Sequence, residues 1–560
     1  MGNGKRLLIV GGVAGGASCA ARARRLSEDA EIIIFDRGSY VSFASCGLPY
    51  YVGKVIKREE TLLMATPEMF EKRFRIQVRL NTEVTGVDRA NSRLEVRNLT
   101  TGEVSHEQYD RLLLSPGAYP VRPPVPGVEL PGVFTLRTIP DSRSIREWIA
   151  QPGVERAVIV GGGFIGLEMA ENLVKLGLTV TVVEMQPHVM PLLDPEIAAA
   201  IHEELTRHGV TLRLNEALTG FEQDSDGKLA VKLSSGASEA ADLAILAVGV
   251  RPENRLAKEA GLEIGDFGGI RVDERMQTSD ERIWAVGDAV EVRDFVTGRW
   301  TLVPLAGPAN RQGRVAADVM MGRGSRFRGV QGTAVVKIFN LTVGSTGPSE
   351  KTLKRLGLWG DSPGFQKIYL HPEQHSSYYP GAFPITLKLI FSTEDGRIMG
   401  VQAVGKDGVD KRIDVIAMAI QKGMTVFDLE EAELCYSPQF GSAKDPVNMA
   451  GMIAANQLRG DSRIFHWDEM GEGSGFLVDV RDPSEFKAGH VEGAVNIPLG
   501  DLRDRMGDLP GDKEIWTYCF VGQRSYFAVR ALVQRGFKAR SLSGGYKTLL
   551  LGKEVRKELG

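Results

Sequence analysis

Twice the chain runs an apolar strand into a glycine turn and then a helix, and this repeat leaves few folds open. Arg6-Leu7-Leu8-Ile9-Val10 leads into Gly11-Gly12-Val13-Ala14-Gly15-Gly16, with a helix expected over Ala17 to Leu26. A second apolar run, Glu31 to Phe35, ends at Asp36. Strand, glycine turn, helix, strand and terminal acid form the dinucleotide-binding βαβ unit. Its turn lets backbone N–H groups meet a pyrophosphate at the helix N-terminus, and the acid accepts from a ribose hydroxyl. Val13 stands where G-x-G-x-x-G has its middle glycine, so this first copy is imperfect. The second is complete: Ala157 to Val160, then Gly161-Gly162-Gly163-Phe164-Ile165-Gly166, a helix over Leu167 to Leu176, a strand over Thr179 to Val183, and Glu184. Two such units, about 150 residues apart, call for two dinucleotides. Glu184 has no basic residue in the next three positions, which favours an unphosphorylated ribose and so NADH over NADPH.

The 560 residues leave room for about three to five domains. A net charge of −3 gives no basic field for nucleic acid. No apolar run is long enough for a membrane-spanning helix, and Leu7 to Val10 is too short for a signal core. The Met-Gly start fails as a myristoylation motif, because position 6 is Arg. Four cysteines in a chain of this length do not make a disulfide framework and suit a reducing cytoplasm, the expected location. No metal site and no membrane partner are expected.

Cys46 lies in Ser42-Phe43-Ala44-Ser45-Cys46-Gly47-Leu48-Pro49-Tyr50, ten residues after Asp36. A lone loop cysteine is most often a buried structural thiol. Its place behind a nucleotide-binding strand points instead to a redox-active thiol. Further along stand the strand Leu112 to Leu114 with its turn Ser115-Pro116-Gly117-Ala118, and the strand Leu243 to Val248 ending at Gly249. The run Thr278 to Asp288 follows, its strand closing on Gly287-Asp288-Ala289.

In this order, these pieces resemble the pyridine nucleotide–disulfide oxidoreductases over about residues 5 to 455. The resemblance implies an α/β chain with two Rossmann-like domains and an α+β dimerisation domain. It implies FAD at Gly11, Gly12, Ala14, Gly15, Gly16, Asp36, Arg37, Ser115, Pro116, Gly117, Gly287, Asp288 and Ala289. It places NAD(P)H at Gly161, Gly163, Phe164, Ile165, Gly166, Glu184 and Gly249. Better-known members carry C-x4-C, but position 51 is Tyr51 here. S-F-x-x-C-G-L-P-Y looks like the single-cysteine branch: coenzyme A disulfide reductases and, more distantly, NADH oxidases and peroxidases. In those reductases the lone cysteine, here Cys46, pairs with coenzyme A.

The resemblance also implies a homodimer, with Tyr378 and Tyr436 reaching across it to act on the leaving coenzyme A sulfur. Arg22 and Arg25, spaced i, i+3 on one helix face, Arg73, Asn310, Arg311 and Lys444 are its cationic or polar contacts to coenzyme A, with Ser42 and Phe43 near the pantetheine. Aromatics that only pack are the plainer alternative for the tyrosines, and solvated surface is the alternative for the cations. Cys19 and Cys435 are given structural roles.

Near the C-terminus, Phe476 to Phe486, Gly489-His490-Val491-Glu492-Gly493-Ala494 and the strand Ile515 to Tyr518 feeding Cys519-Phe520-Val521-Gly522-Gln523-Arg524 resemble a rhodanese domain. The C-x-x-G-x-R loop is matched at Cys519, Gly522 and Arg524, and the resemblance makes Cys519 and Arg524 catalytic. A thiol ahead of a helix N-terminus meets inward-pointing amides, a setting for a thiolate or persulfide anion. The expected domains are 1–152 (FAD, first part), 153–275 (NAD(P)H), 276–330 (FAD, second part), 331–457 (dimerisation), 458–475 (linker) and 476–560 (rhodanese, α/β). Within them strands are expected over Thr333 to Phe339 and Ile385 to Phe391, and a helix over Arg412 to Lys422.

Together these features imply a flavin-dependent enzyme that uses NADH to reduce a persulfide, polysulfide, or coenzyme A disulfide or persulfide through Cys46, while Cys519 delivers sulfane sulfur. Two alternatives stay open: an NADH oxidase or peroxidase, and a redox-sensing flavoprotein that binds partners through its rhodanese domain.

Overall fold

The structure is a computed structural model describing residues 5–224, 228–360, 364–470 and 475–559. Positions 471–474 of the expected linker therefore lie outside the described residues. The chain divides into two compact units, Met1–Met185 with Glu216–Gln331, and Gln186–Asn215 with Gly332–Gly560.

The first unit holds two parallel sheets. In one, the strands Ile283–Ala285, Arg111–Leu114, Arg6–Val10, Glu31–Phe35 and Gln77–Arg79 lie side by side. A parallel sheet is covered on both faces, so its strands read as unbroken apolar runs. Leu7, Leu8, Ile9, Ile33, Ile34, Leu112, Leu113 and Leu114 are all fully buried. The register sets Val10 against both Phe35 and Leu114, and Leu114 against Ala285. It thus gathers the Gly11, Asp36, Ser115 and Gly287 ends at one carboxyl edge, where open α/β sheets bind ligands. The other sheet sets Thr179–Glu184, Arg156–Val160, Leu243–Leu246 and Val133–Thr135 in parallel. The helices behind the two glycine turns run over Ala14–Arg24 and Phe164–Lys175, each starting three residues earlier than the sequence suggests.

The second unit also holds two sheets. An antiparallel one has the order Ala334–Ile338, Leu341–Thr346, Ile398–Gly405, Ile385–Ser392, Phe365–Leu370. The parallel one has the order Arg463–Phe465, Ala539–Leu542, Ile515–Tyr518, Phe476–Asp479, Val495–Asn496. Its edge strand Arg463–Phe465 comes from the stretch expected to be linker. Three residues carry no readable period, and only pairing with Ala539–Leu542 makes them a strand. The helix Pro195–Arg207 also packs in this unit, although its sequence falls within the stretch expected to bind NAD(P)H.

At the heart of the second unit Lys388 is 1% exposed on the central strand Ile385–Ser392. Its ammonium lies 2.8 Å from Asp194, 2.5 Å from Glu196 and 2.7 Å from Glu350. Lys367 bridges Glu350 and Asp468 at 3.0 and 3.2 Å. Such a cluster is tolerable away from water only because each charge has a partner. Among the described residues, no helix is long and apolar enough to cross a membrane.

Candidate functional site

The first glycine turn is built on close approach. Gly11 has φ +92°, and a Cβ there would lie 2.1 Å from the Ser115 carbonyl oxygen, so only glycine fits. Its N–H donates to the Phe35 carbonyl at 2.8 Å. Asp36 accepts from the backbone N–H groups of Gly12 at 2.9 Å and Gly38 at 2.8 Å. Burial pushes its carboxyl up, and these two N–H groups pull it back. Val10, Gly11, Asp36, Arg37 and Pro116 line a cleft that opens to solvent. Asp288 pairs with Arg137 at 3.2 Å, and the Gly287 N–H donates to Gln312 at 2.8 Å. Neither Arg137 nor Gln312 carries a motif, and the sequence reading missed both.

The Cys46 loop is tied to this turn. Ser42, held in the left-handed region at φ +48°, donates its N–H to the Gly12 carbonyl at 2.9 Å. Its own carbonyl accepts from Met64 at 2.9 Å. These bonds fix an otherwise unfavourable conformation. Cys46 then sits exposed in the short turn Ser45–Gly47. The following helix, Leu48–Val52, packs on the helix of the second glycine turn: a Cβ on Gly53 would lie 2.0 Å from Asn172 Oδ1. Tyr50 donates to Glu168 at 3.0 Å. Burial raises the pKa of both groups. Tyr51, where a second cysteine would stand, packs its ring under Arg146 at 4.1 Å.

At the second turn, Glu184 accepts from the buried Gly162 N–H at 2.7 Å. Open space surrounds the position a Cβ of Gly163 would take, which suits close approach by a pyrophosphate. Met185, next to the acid, is exposed and carries no charge.

The residues implied to contact coenzyme A are not equivalent. Arg22 is held by Asp318 at 2.7 Å. Arg25 and Arg73 are exposed. On the facing helix Ala306–Met320, Asn310 bonds Ser18 and the Ala306 carbonyl, while Arg311 lies over the Phe327 ring at 5.6 Å. Lys444 is exposed in the second unit. Cys19 is fully buried, and burial pushes its thiol up. Cys435 is exposed, so packing does not account for it.

In the second unit Tyr378 and Tyr436 come together, their phenols 2.8 Å apart. The shared hydrogen bond draws Tyr378 below the ordinary phenol value and pushes Tyr436 above it. Both rings are exposed. Buried Arg412 holds their loops in place, donating to the Gln374 carbonyl at 2.6 Å on one side and to Asp445 at 2.7 Å on the other. The sequence offers Arg412 only as the start of a helix.

Cys519 follows the central strand Ile515–Tyr518, buried at 1% exposure. Its Sγ accepts the Gly522 N–H at 3.1 Å, and Gly522 caps the helix Gln523–Val533. Arg524 forks onto Glu485 at 2.7 and 2.8 Å. Glu485 belongs to the helix Pro483–Ala488.

Residues 5–313 match the pyridine nucleotide-disulphide oxidoreductase family, 333–445 its dimerisation domain and 466–550 the rhodanese-like domain. The crystal structure of reduced CoADR-RHD from Bacillus anthracis is 46% identical with a TM-score of 0.96, covering 100% of this chain and 99% of that one. A NAD-dependent persulfide reductase from A. fulgidus is 36% identical with a TM-score of 0.90, covering 97% and 99%. Two further relatives match a shorter share of the chain. They are an NADH oxidase of Methanocaldococcus jannaschii, 37% identical over 81% of this chain and 99% of its own length, and a CoA-dependent NAD(P)H sulfur oxidoreductase of Pyrococcus abyssi, 38% identical over 79% and 96%. The two glycine turns, the tethered Cys46 loop and these matches place the chain in the pyridine nucleotide-disulphide oxidoreductase family, with a dimerisation domain and a rhodanese-like domain behind its nucleotide-binding part.

Proposed function

We propose that this protein is a cytoplasmic homodimeric enzyme that uses NADH and FAD to reduce a coenzyme A disulfide or persulfide, or a polysulfide, at Cys46. Cys519 serves it as the carrier of sulfane sulfur. The observation that carries this reading is the exposed single thiol Cys46, tied through Ser42 to the first dinucleotide turn, on a chain that also holds the Cys519 loop. The domain limits expected from the sequence go with this reading: 1–152 and 276–330 for FAD, 153–275 for NAD(P)H, 331–457 for the dimer and 476–560 for the rhodanese part.

The residues present fit both dinucleotides. The first turn opens onto a cleft lined by Asp36, and the second leaves space over Gly163, with Glu184 holding the neighbouring Gly162 amide. The bound dinucleotides supply two electrons to the substrate's S–S bond. Asp36 and Glu184 accept from ribose hydroxyls while already holding the turn amides of Gly12 and Gly162. Cys46 holds the substrate sulfur in a mixed disulfide and is released as thiolate when that bond is reduced. Across the homodimer, the Tyr378–Tyr436 pair of one subunit gives a proton to the thiolate departing at the other; a phenol hydrogen-bonded to a second phenol is suited to that exchange.

The test is to treat the purified protein with reductant and weigh the small thiols released. Coenzyme A in near-stoichiometric amount supports the reading, and its absence removes the mixed disulfide. A second reading, NADH oxidation by oxygen, has a similar sequence in its favour but gives the Cys519 loop no work. Faster NADH turnover with oxygen than with any sulfur acceptor would select it.

A further inference from the structure

We infer that His371, beside the antiparallel sheet of the second unit, is a positioning residue for sulfur transfer at Cys519. The inference rests on the reading of Cys519 as a sulfur carrier. It adds a residue from outside the rhodanese-like part of the chain.

His371 follows the edge strand Phe365–Leu370 and is buried at 7% exposure. Both ring nitrogens are engaged. Nδ1 lies 3.0 Å from Thr386 Oγ1 on the neighbouring strand Ile385–Ser392, and Nε2 lies 2.8 Å from Thr548 Oγ1. Burial holds the imidazole well below the ordinary histidine value. The neutral ring offers one donor and one acceptor to the two hydroxyls. Thr548 is fully buried on the helix Gly545–Leu559. The first turn of that helix holds the Cys519 loop. The Tyr546 N–H donates to the Cys519 carbonyl at 2.8 Å, and the Lys547 N–H donates to the Phe520 carbonyl at 2.9 Å.

Two glycines leave no slack along this path. Gly544 and Gly545 have φ +69° and +67°. A Cβ on Gly544 would lie 2.7 Å from Tyr369 Cβ and 3.2 Å from His371 Nε2. One on Gly545 would lie 2.5 Å from the Cys519 carbonyl oxygen and 2.7 Å from the Gly522 nitrogen. The glycine pair is thus wedged between the edge strand and the peptide whose N–H donates to Cys519 Sγ at 3.1 Å. A shift at Thr548 passes to that N–H, where the transferred sulfur arrives. Other ties keep the rhodanese-like part seated: Lys367 to Asp468 at 3.2 Å, Asn456 to the Tyr526 hydroxyl at 3.3 Å, and Arg530 to Asp461 at 3.2 Å. Loss of the His371 side chain therefore loosens the loop and leaves these ties in place.

The experiment uses the full chain without oxygen and follows the one-sulfur mass gain on the Cys519 peptide, with inorganic polysulfide as donor. The Cys519 thiolate attacks a terminal sulfur. The Sγ–S bond forms as the terminal S–S bond breaks, and the electron pair leaves on a polysulfide dianion one sulfur shorter. His371→Ala should slow this gain by about tenfold or more. His371→Gln keeps an amide for the Thr548 hydroxyl and should recover most of the rate. Thr548→Val should slow the gain as His371→Ala does, and the double variant should be no slower than either single one. Alkylation of Cys46 by iodoacetamide should stay unchanged throughout. A merely structural role would lower the melting temperature and leave the Cys519 rate unmoved. Wild-type rates in folded His371→Ala and Thr548→Val, no recovery in His371→Gln, or a multiplied loss in the double variant overturn the inference. Should His371→Ala not fold, Thr548→Val decides on the same measure. If polysulfide does not label Cys519 in folded wild type, the sulfur-carrier reading falls, and iodoacetamide rates at Cys519 across the same variants decide the positioning role.

Discussion

The Tyr50 phenol donates to Glu168 Oε1 at 3.0 Å. It thereby joins the helix behind Cys46 to the helix behind the second glycine turn. Tyr50→Phe should remove that donor from a mostly buried carboxylate and cost about 1–2 kcal/mol in denaturant unfolding. Burial holds Glu168 above the ordinary glutamate value, with the Glu171 charge adding and the Tyr50 bond opposing. For an acid raised in the folded state, the stabilising contribution is present below the ordinary value and is lost as pH rises through the folded one. Glu168→Gln should flatten that part of the stability–pH curve and be more stable than wild type at neutral pH. An unchanged curve would mean that Glu168 is well solvated.

Cys46→Ser should keep bound flavin, because the bond that ties the loop to the first turn comes from the Ser42 backbone. NADH-driven reduction of polysulfide and coenzyme A disulfide should vanish. Retained turnover with an unchanged flavin spectrum would make Cys46 structural.

On the proposed reading, Glu184 sets the choice of cofactor. Its carboxylate accepts the Gly162 N–H, so its charge stands at the turn where a 2′-phosphate would arrive. Repulsion plus a lost hydrogen bond is worth on the order of a few kcal/mol. Glu184→Gln keeps an acceptor for Gly162 and should narrow the NADH-over-NADPH ratio of kcat/KM. A ratio near one in the wild type would show that the acid does not meet the ribose.

Lys388→Met should be the most damaging single change in the second unit. It leaves Asp194 and Glu196 buried without the cation between them, while Glu350 keeps Lys367, at a cost of about 3–5 kcal/mol. Ligand oxygens of these three lie within 4.8 Å of one another. Millimolar Mn²⁺ should therefore restore part of the variant's melting temperature and leave wild type unmoved. In the wild type burial pushes Glu350 up, but Lys388 and Lys367 outweigh it and hold the carboxyl far below its ordinary value. That stabilisation is present above the ordinary glutamate value and lost as pH falls. Wild type should lose stability on acidification, and Glu350→Gln should lose less.

Patterns set by short-range physics are legible along the chain. An apolar run followed by glycines and a small-residue helix can form only a tight strand-to-helix turn, so both dinucleotide units, Asp36, Glu184 and the C-x-x-G-x-R loop stand out. Helix starts read three residues late, because the turn glycines hide the first helical positions. Lys388 is visible as one charge within the apolar run Ile385 to Phe391, but nothing near it in sequence names its three carboxylate partners.

The sequence by itself determined which residue types meet which chemistry: one thiol after the first unit, an acid closing each unit, a second thiol ahead of a helix. Tertiary structure alone decided who partners whom. The loop motif singles out Arg524, and the fold pairs it with Glu485 from a helix some 40 residues away in sequence. Arg22 is likewise taken by Asp318, and Arg412 joins Gln374 to Asp445. Helix and strand propensities act over a few residues and can be read along the chain. The pairing of buried charges depends on which distant segments share a low-dielectric interior, and only the packed fold sets that.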